Sequence, residues 1–149
     1  SKDQEQCGRN RAIIADCPCR PALEGLNMER NTRQRKAIQD VMAAAGRPLS
    51  PQELLEHAQG AVPGIGMATI YRNIKAMLES GDIAAVSLPG GGDRYEIAGH
   101  EHHHHFHCRA CDKVYEVHAC PGDMKKLTPE GFVLESHELT LYGLCSACR

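Results

Sequence analysis

Residues 99–111 read Gly-His-Glu-His-His-His-His-Phe-His-Cys-Arg-Ala-Cys, and the composition of the chain changes abruptly at this stretch. The stretch is internal and leads straight into a Cys-x-x-Cys pair, so it is not a purification tag. Helical patterns lie before it and mostly short β-like segments lie after it. We therefore expect an α+β protein in which residues 98–101 form a hinge between two domains.

Two Cys-x-x-Cys pairs, Cys108 with Cys111 and Cys145 with Cys148, are separated by thirty-three residues. Each pair places two thiolates on one side of a tight turn, and two such turns make a tetrahedral cage that suits Zn²⁺. Four protein ligands close the site to substrate, so we expect a structural ion that supplies folding free energy on the order of 10 kcal/mol. The alternative is a thiol–disulfide switch.

The histidine run indicates a second kind of metal site. In a strand, His103 and His105 would project to one face and His102 and His104 to the other, which allows two separate ions. Imidazole and carboxylate ligands hold Zn²⁺, Fe²⁺, Mn²⁺ or Ni²⁺ less selectively than four thiolates, as a reversible sensor requires. The candidate ligands are Glu96, His102, His103, His104, His105, Glu116 and His137. The alternative for any one of these histidines is an ordinary surface residue.

Before the histidine run, apolar residues recur at helical spacing in three segments. Thr32 is the expected N-cap of the first segment, which Gly46 ends. The second starts at residues 50–53, Ser-Pro-Gln-Glu, a capping box with proline at the first helical position. The third covers residues 67–80. Its expected apolar stripe is Ile70, Ile74, Met77 and Leu78.

Two β-like segments, residues 83–88 and 94–97, flank a glycine-rich turn and predict a hairpin. Three helices followed by a hairpin are the element order of a winged helix-turn-helix domain, here residues 28–97. The third helix carries polar side chains that could contact bases and phosphates. They are Thr69, Tyr71, Arg72, Asn73 and Lys75. The alternatives are a three-helix core without a nucleic-acid role and an ordinary solvated helix face.

Residues 102–149 are expected to form a smaller α/β domain. Strands are predicted at residues 114–117, 132–134 and 138–142, and a short helix at residues 124–127 that Pro129 stops. A zinc ion shared by both cysteine pairs would tie the first strand of this domain to its last segment. The ion would compensate for a core with few aromatic residues, because the chain has no Trp and two Phe.

The charge of the chain is uneven along its 149 residues. Residues 28–75 carry seven Lys and Arg against four Asp and Glu, whereas residues 96–149 carry five against eight. A basic first half suits a polyanion and an acidic second half suits cations. No apolar run reaches transmembrane length, so we expect a cytoplasmic protein, without membrane association, whose thiols stay reduced.

Residues 1–27 show no sustained periodicity, and we interpret them as a poorly ordered arm. Met28 stands directly before the first well-formed helical pattern, which makes it a candidate natural start and the arm a candidate vector remnant. The alternative is an accessory metal or redox site at Cys17 and Cys19. The sequence assigns no role to Cys7 or Cys120.

Motifs spread over about residues 29–148 together resemble the ferric uptake regulator family, including its zinc-sensing relatives. They are Thr32-Arg33-Gln34-Arg35, Ala68-Thr69-Ile70-Tyr71-Arg72, Arg94-Tyr95-Glu96, residues 102–111, Lys113-Val114-Tyr115-Glu116, Gly131-Phe132 and Leu141-Tyr142-Gly143-Leu144-Cys145. The resemblance implies a homodimer that binds double-stranded operator DNA, an A/T-rich palindrome, when it is loaded with its ion. It implies repression of iron- or zinc-uptake genes.

The resemblance also implies roles for individual residues, in four groups. The DNA-binding group is Arg30 at the minor groove with Tyr71 and Arg72 at the major groove, and Thr69 lies on the same helix. The structural zinc group is Cys108, Cys111, Cys145 and Cys148. The regulatory group, for Fe²⁺ or Zn²⁺ and alternatively Mn²⁺ or Ni²⁺, is Glu96, His103, His105 and Glu116, with His100 as a candidate replacement ligand. The additional group is His102, His104 and His137; in the family this site usually has an acidic ligand at the position of His104 and one further carboxylate.

The regulatory ligands depart from the family pattern in two places. Members that sense iron or peroxide usually add a histidine just before the second helix, where this chain has Pro48. Zinc sensors often add a cysteine before the histidine run and a further ligand after the recognition helix, where this chain has Ala98 and Ala84. The regulatory set therefore matches neither specialist pattern.

Two other classes of function stay open at this stage. One is a zinc hydrolase in which Glu116 acts as general base to a metal-bound water, although no HExxH motif supports it. The other is a metal buffer that never contacts DNA. Salt-sensitive, metal-dependent binding to a palindromic duplex would exclude the buffer.

Overall fold

The structure is a computed structural model that describes residues 20–90 and 92–149, with side chains from Met28 onward. Contacts divide the chain into two compact units, residues 1–36 and 37–149. Cys7, Cys17 and Cys19, to which the arm interpretation applies, lie outside the described residues. Among the described helices, none combines the length and apolar character needed to cross a bilayer.

Helix α1 spans Arg20–Ala45, so it starts before Thr32 and the predicted N-cap at Thr32 was wrong. The hydroxyl of Thr32 instead donates to the carbonyl of Met28, one turn back, at 2.9 Å, as threonine does inside a helix. Residues 22–29 are rich in Ala, Leu, Glu and Met, which are strong helix formers. The predicted end is confirmed, because Gly46 adopts φ 55° directly after the helix.

Within the unit of residues 37–149, helix α2 (Pro51–Ala61) begins with the predicted capping box. The backbone N–H of Glu53 donates to the Ser50 hydroxyl at 3.2 Å, and the backbone N–H of Ser50 donates to the Glu53 carboxylate at 3.0 Å. Such a cap satisfies N–H groups that the first helical turn leaves unpaired. Helix α3 (Met67–Glu79) follows.

The helices bury one apolar core, built mainly from the predicted stripes. Leu78 is the exception, because it is 38% exposed and the inward position predicted for it was wrong. The buried stripe of α3 follows positions 70, 74 and 77, and position 78 lies at its edge. The core consists of Ile38, Met42, Leu49, Leu54, Ala58, Ile65, Ile70, Ile74, Met77, Ile83 and Tyr95.

Strands β1 (Ile83–Val86) and β2 (Arg94–Ile97) form the predicted antiparallel hairpin. Leu49 and Tyr95 exchange two backbone hydrogen bonds of 2.9 Å, which fix β2 to the segment before α2. The order of three helices and a hairpin is the winged-helix order expected from the sequence.

A three-stranded sheet follows, with β3 (His104–Cys108) in its centre. Strand β4 (Val114–Val117) pairs with it antiparallel, and β5 (Thr140–Gly143) pairs with it parallel. The short helix before Pro129 is confirmed as a 3₁₀ turn, Lys125–Leu127. The mixture of helices and two sheets confirms the predicted α+β class.

The strand predicted at residues 132–134 was wrong, because these residues pair with no described strand. Their side chains are exposed, with Phe132 at 72% and Val133 at 87%. Apolar, β-branched composition favours an extended strand, but a strand forms only where a neighbour accepts its backbone hydrogen bonds. Among the described residues, the second buried apolar cluster is small and consists of Val114 of β4 with Val86 and Leu88.

Candidate metal centres and nucleic-acid interface

The parallel pairing of β3 and β5 brings the two cysteine pairs together. Cys108 ends β3 and lies beside Gly143, the last residue of β5, and Cys145 follows two residues later. The sulfur atoms of Cys111 and Cys145 are 3.8 Å apart, and all four sulfur atoms lie within 4.8 Å of one another. A tetrahedral ion with Zn–S bonds of about 2.3 Å requires sulfur separations of about 3.8 Å. The four cysteines therefore fit Zn²⁺.

Backbone N–H groups prepare this cluster for a cation. Cys108 is fully buried, and hydrogen bonds from the N–H groups of Cys111 and Cys145 lower the pKa of its thiol to about 6. Hydrogen bonds to Cys145 and Cys111 raise the pKa of Cys148 to about 12, because crowded sulfurs resist full deprotonation. A bound cation is what would stabilise four thiolates in so small a volume.

Glu96 of the hairpin faces the histidine run of the sheet. Its Oε1 lies 3.0 Å from Nε2 of His103, and its Oε2 lies 3.1 Å from Nε2 of His105. Burial acts to raise the pKa of Glu96, but the two imidazoles outweigh burial and lower it. Three potential ligands from two separate elements thus converge on one point, which a divalent cation can occupy.

The ring of His103 is held by its other nitrogen. Nδ1 lies 2.8 Å from the carbonyl oxygen of Glu101, an arrangement that directs Nε2 toward Glu96. Burial opposes protonation, but the Glu101 carbonyl and the Glu96 carboxylate together raise the pKa of His103. In the metal-free protein a proton therefore competes with a cation for this ring.

Glu116 lies opposite His105 in the register of β3 and β4. Its closest imidazoles are nevertheless His100, at 3.2 Å from Nδ1, and His118, at 3.5 Å from Nε2. The ligand atoms of His100, His103 and Glu116 form a second group within 4.8 Å of one another. The predicted regulatory residues thus form two overlapping triads that share His103. His118 was not anticipated.

On the opposite face of β3, the predicted residues His102, His104 and His137 also lie together, with ring centroids 4.6 to 5.1 Å apart. Cys120 joins them, with its sulfur 3.3 Å from Nε2 of His137. Sequence reasoning missed this residue, because the loop between β4 and β5 has no periodicity that fixes its path. One cleft is lined by residues of both faces, including His102, His103, His105 and His137.

The nucleic-acid candidates lie on two helices. On α3, Tyr71 is 53% exposed and Arg72 is also exposed, with its guanidinium 3.1 Å from the hydroxyl of Thr69. Asn73 donates to the carbonyl of Thr69 at 2.9 Å, so its amide is engaged within the helix. Arg30 is exposed on the part of α1 that belongs to the unit of residues 1–36.

A further contact, also missed from the sequence, joins the hairpin to the first cysteine turn. Arg94 is 6% exposed, and its guanidinium contacts the Asp112 carboxylate at 2.6 Å. Asp112 also contacts Nε2 of His107 at 2.6 Å, and it has φ 60°, which is uncommon for a residue with a side chain. The buried Arg94 therefore connects the β1–β2 hairpin to the turn that carries Cys111.

Comparison with known proteins places this chain among metal-responsive regulators. The model of the family "Ferric uptake regulator family" matches residues 27–142. A zinc uptake regulation protein of Mycobacterium tuberculosis is 33% identical over 125 residues, which are 80% of this chain and 95% of that protein.

Two solved structures share the fold. A zinc-bound manganese uptake regulator has a TM-score of 0.67 and 30% identity, and the match covers 83% of this chain and 98% of that chain. The Helicobacter pylori ferric uptake regulator, described as having three functional metal binding sites, has a TM-score of 0.61 and 25% identity, covering 85% and 88%. The observed order of three helices, a hairpin and a three-stranded sheet agrees with these similarities. The chain therefore belongs to the ferric uptake regulator family.

Proposed function

We propose that this protein is a metal-dependent, DNA-binding repressor of metal-uptake genes that acts as a homodimer. The observation that carries the proposal is the convergence of Glu96, from the hairpin, with His105 of β3 and His103 directly before that strand. These three ligands join the expected DNA-binding domain, residues 28–97, to the expected dimerisation domain, residues 102–149, across the hinge at residues 98–101. Relatives named as regulators favour regulation over the hydrolase alternative.

The regulatory site would act on the hinge as a population shift. Glu96, His103 and His105 would hold a divalent cation, which would supply positive charge to the carboxylate and accept the imidazole lone pairs. Glu96 is anchored in β2 and His105 in β3, so joining them fixes the hairpin relative to the sheet. Glu116 and His100 extend the ligand set through His103. Without the cation, Glu96 and the histidines would separate and the hinge would be loose. DNA binding would then have to order the hinge, and this entropic cost would lower the affinity for DNA.

In the loaded dimer, two α3 helices would reach successive major grooves of a palindrome. Tyr71 and Arg72 would contact bases and phosphates there, with Thr69 beside them and Arg30 at the minor groove. The four-cysteine site would hold structural zinc and keep the sheet folded. Fe²⁺ or Zn²⁺ is the proposed regulatory ion, with Mn²⁺ and Ni²⁺ as alternatives, because imidazole and carboxylate ligands accept all four.

The test is DNA binding titrated with buffered Zn²⁺, Fe²⁺, Mn²⁺ and Ni²⁺ in turn, on a duplex first selected from a random-sequence library in the presence of each metal. We expect enrichment of an A/T-rich palindrome and metal-dependent, salt-sensitive binding by the wild type. The double variant His103→Ala/His105→Ala should stay folded and dimeric but lose this metal dependence.

The matched control is His57→Ala, because His57 is an exposed histidine of α2 outside every candidate metal group. The control should bind the duplex with the metal response of the wild type. If the double variant still binds the duplex in a metal-dependent way, the hinge mechanism is wrong. Failure to select any duplex with any of the four ions would sink the regulatory function itself.

A further inference from the structure

The loop between β4 and β5 carries an exposed cysteine, Cys120, at a cluster of three histidines. The ligand atoms of His102, His104, Cys120 and His137 all lie within 4.8 Å of one another. The two closest pairs are Nε2 of His102 with Nε2 of His104, at 3.2 Å, and the sulfur of Cys120 with Nε2 of His137, at 3.3 Å. Ligand atoms around a tetrahedral ion with Zn–N bonds near 2.1 Å are about 3.4 Å apart.

We propose that Cys120 is the fourth ligand of this site, which would make it a Cys-His₃ centre selective for zinc-like, thiophilic cations. The expected partner for the three histidines was a carboxylate. A thiolate in that place changes the chemistry, because soft sulfur favours Zn²⁺ over Mn²⁺ and other hard, oxygen-preferring ions. The inference concerns the ligand at this second site and does not depend on DNA binding.

The buried imidazole of His104 independently points to a bound cation. His104 is 1% exposed, and its Nε2 lies 3.2 Å from Nε2 of His102. Its ring also lies beside that of His137, with centroids 5.1 Å apart. Its Nδ1 has no hydrogen-bond partner among the described residues. A cation at the centre of this cluster would bind the ring nitrogens that face one another.

The backbone around Cys120 holds its sulfur in place. The N–H of Gly122 donates to the sulfur at 3.4 Å, and Gly122 has φ 82°, a conformation that glycine adopts without strain. The turn Cys120-Pro121-Gly122 therefore holds the sulfur beside the ring of His137.

The carboxylate nearest in sequence is occupied elsewhere. Oδ1 of Asp123 accepts the backbone N–H of Lys125 at 2.9 Å, at the start of the 3₁₀ turn. Asp123 is not a member of the four-residue group, whereas Cys120 is. Asp123 is thus engaged with the backbone at the start of the 3₁₀ turn, and Cys120, three residues earlier, takes the position of the ligand.

The test uses Co²⁺ as a spectroscopic probe on full-length protein that holds one zinc per chain in the four-cysteine site. Cys7, Cys17 and Cys19 are replaced by serine in every protein tested, so that Cys120 is the only cysteine outside the four-cysteine site. Because the regulatory site has only nitrogen and oxygen ligands, a near-ultraviolet thiolate-to-Co²⁺ band then reports Cys120. We expect this band in this parent protein and its complete loss when Cys120→Ser is added, with about a tenfold or greater weakening of the second-site affinity for Zn²⁺ in chelator competition. Unchanged zinc content after the titration verifies that Co²⁺ has not entered the four-cysteine site.

Two variants separate the possible failures. Asp123→Asn is the matched control, because the amide oxygen still accepts the Lys125 N–H, and this variant should keep the band and the affinity. His137→Ala should weaken the site as Cys120→Ser does. If His137→Ala lowers affinity but Cys120→Ser does not, the cysteine is not a ligand and the proposal is wrong. If neither variant changes metal uptake, the second site itself does not exist, although hinge regulation could still hold.

Discussion

Replacing Cys108 by serine is expected to unfold the three-stranded sheet and leave the helical core folded. Cys108 is fully buried, and its sulfur accepts the N–H of Cys145 at 3.3 Å. Serine can keep that hydrogen bond, but its hydroxyl is a poor replacement for a thiolate zinc ligand. The main consequence is therefore loss of structural zinc rather than a packing defect.

The magnitude follows from how little else holds the sheet. The buried apolar cluster to which the sheet contributes has three side chains, Val114 of β4 with Val86 and Leu88 from the hairpin, each contributing about 1.5–3 kcal/mol. A structural zinc supplies on the order of 10 kcal/mol, as much as that whole cluster. The helical core has eleven buried members. Zinc removal should therefore unfold the sheet selectively.

The assay is amide hydrogen exchange with zinc content measured on the same sample. In Cys108→Ser, and in chelator-treated wild type, β3–β5 should exchange freely while α2 and α3 stay protected. Cys120→Ser is the control, since that cysteine lies outside the four-cysteine site, and its β3–β5 amides should exchange as in the wild type. Slow exchange across β3–β5 in a zinc-free Cys108→Ser sample would refute the reasoning.

Three further outcomes are expected. Ser50→Ala removes one hydrogen bond of the capping box and should lower the free energy of unfolding by about 0.5–2 kcal/mol. The urea midpoint of the helices measures this loss, and an unchanged midpoint would show that the cap is dispensable. Gly143→Ala places a Cβ 3.0 Å from the ring of Phe106, so the sheet should lose about 1–3 kcal/mol, and a thermal melt equal to that of the wild type would contradict this.

The third outcome concerns pH. Because the pKa of His103 is raised, protonation of this ring should increase the stability of the metal-free protein fully below about pH 6.5. This contribution to stability should disappear as the pH rises through the raised pKa. Metal affinity at the hinge should change in the opposite direction and rise over the same window, because His103 must shed its proton to bind. Measuring urea midpoints of metal-free protein and metal affinity at pH 6 to 8 checks both signs, and parallel trends would disprove the shared role of this ring.

Features that depend on spacing along the chain were predictable. The capping box at Ser50 is a local hydrogen-bond pattern, and the hairpin follows from two β-like segments around glycines. The alternation of the histidine run was predicted from the two-residue repeat of a strand, and His103 and His105 do reach the same carboxylate, although β3 begins only at His104. The prediction failed at Thr32, which lies inside a longer helix, and at residues 132–134, which have no neighbouring strand to pair with among the described residues. In both places the local preference of the residues was overridden by the surrounding structure.

By itself, the sequence determined the helices, the hairpin, the paired cysteines and the two-sided histidine run, because each arises from residue types at fixed short separations. Only the tertiary structure decided that Cys120 meets His137 and that Arg94 reaches Asp112. Those partners are 17 and 18 residues apart, and the path of the intervening loops depends on which strands pair. No periodicity encodes that path, so these contacts become visible only when β3, β4 and β5 are assembled.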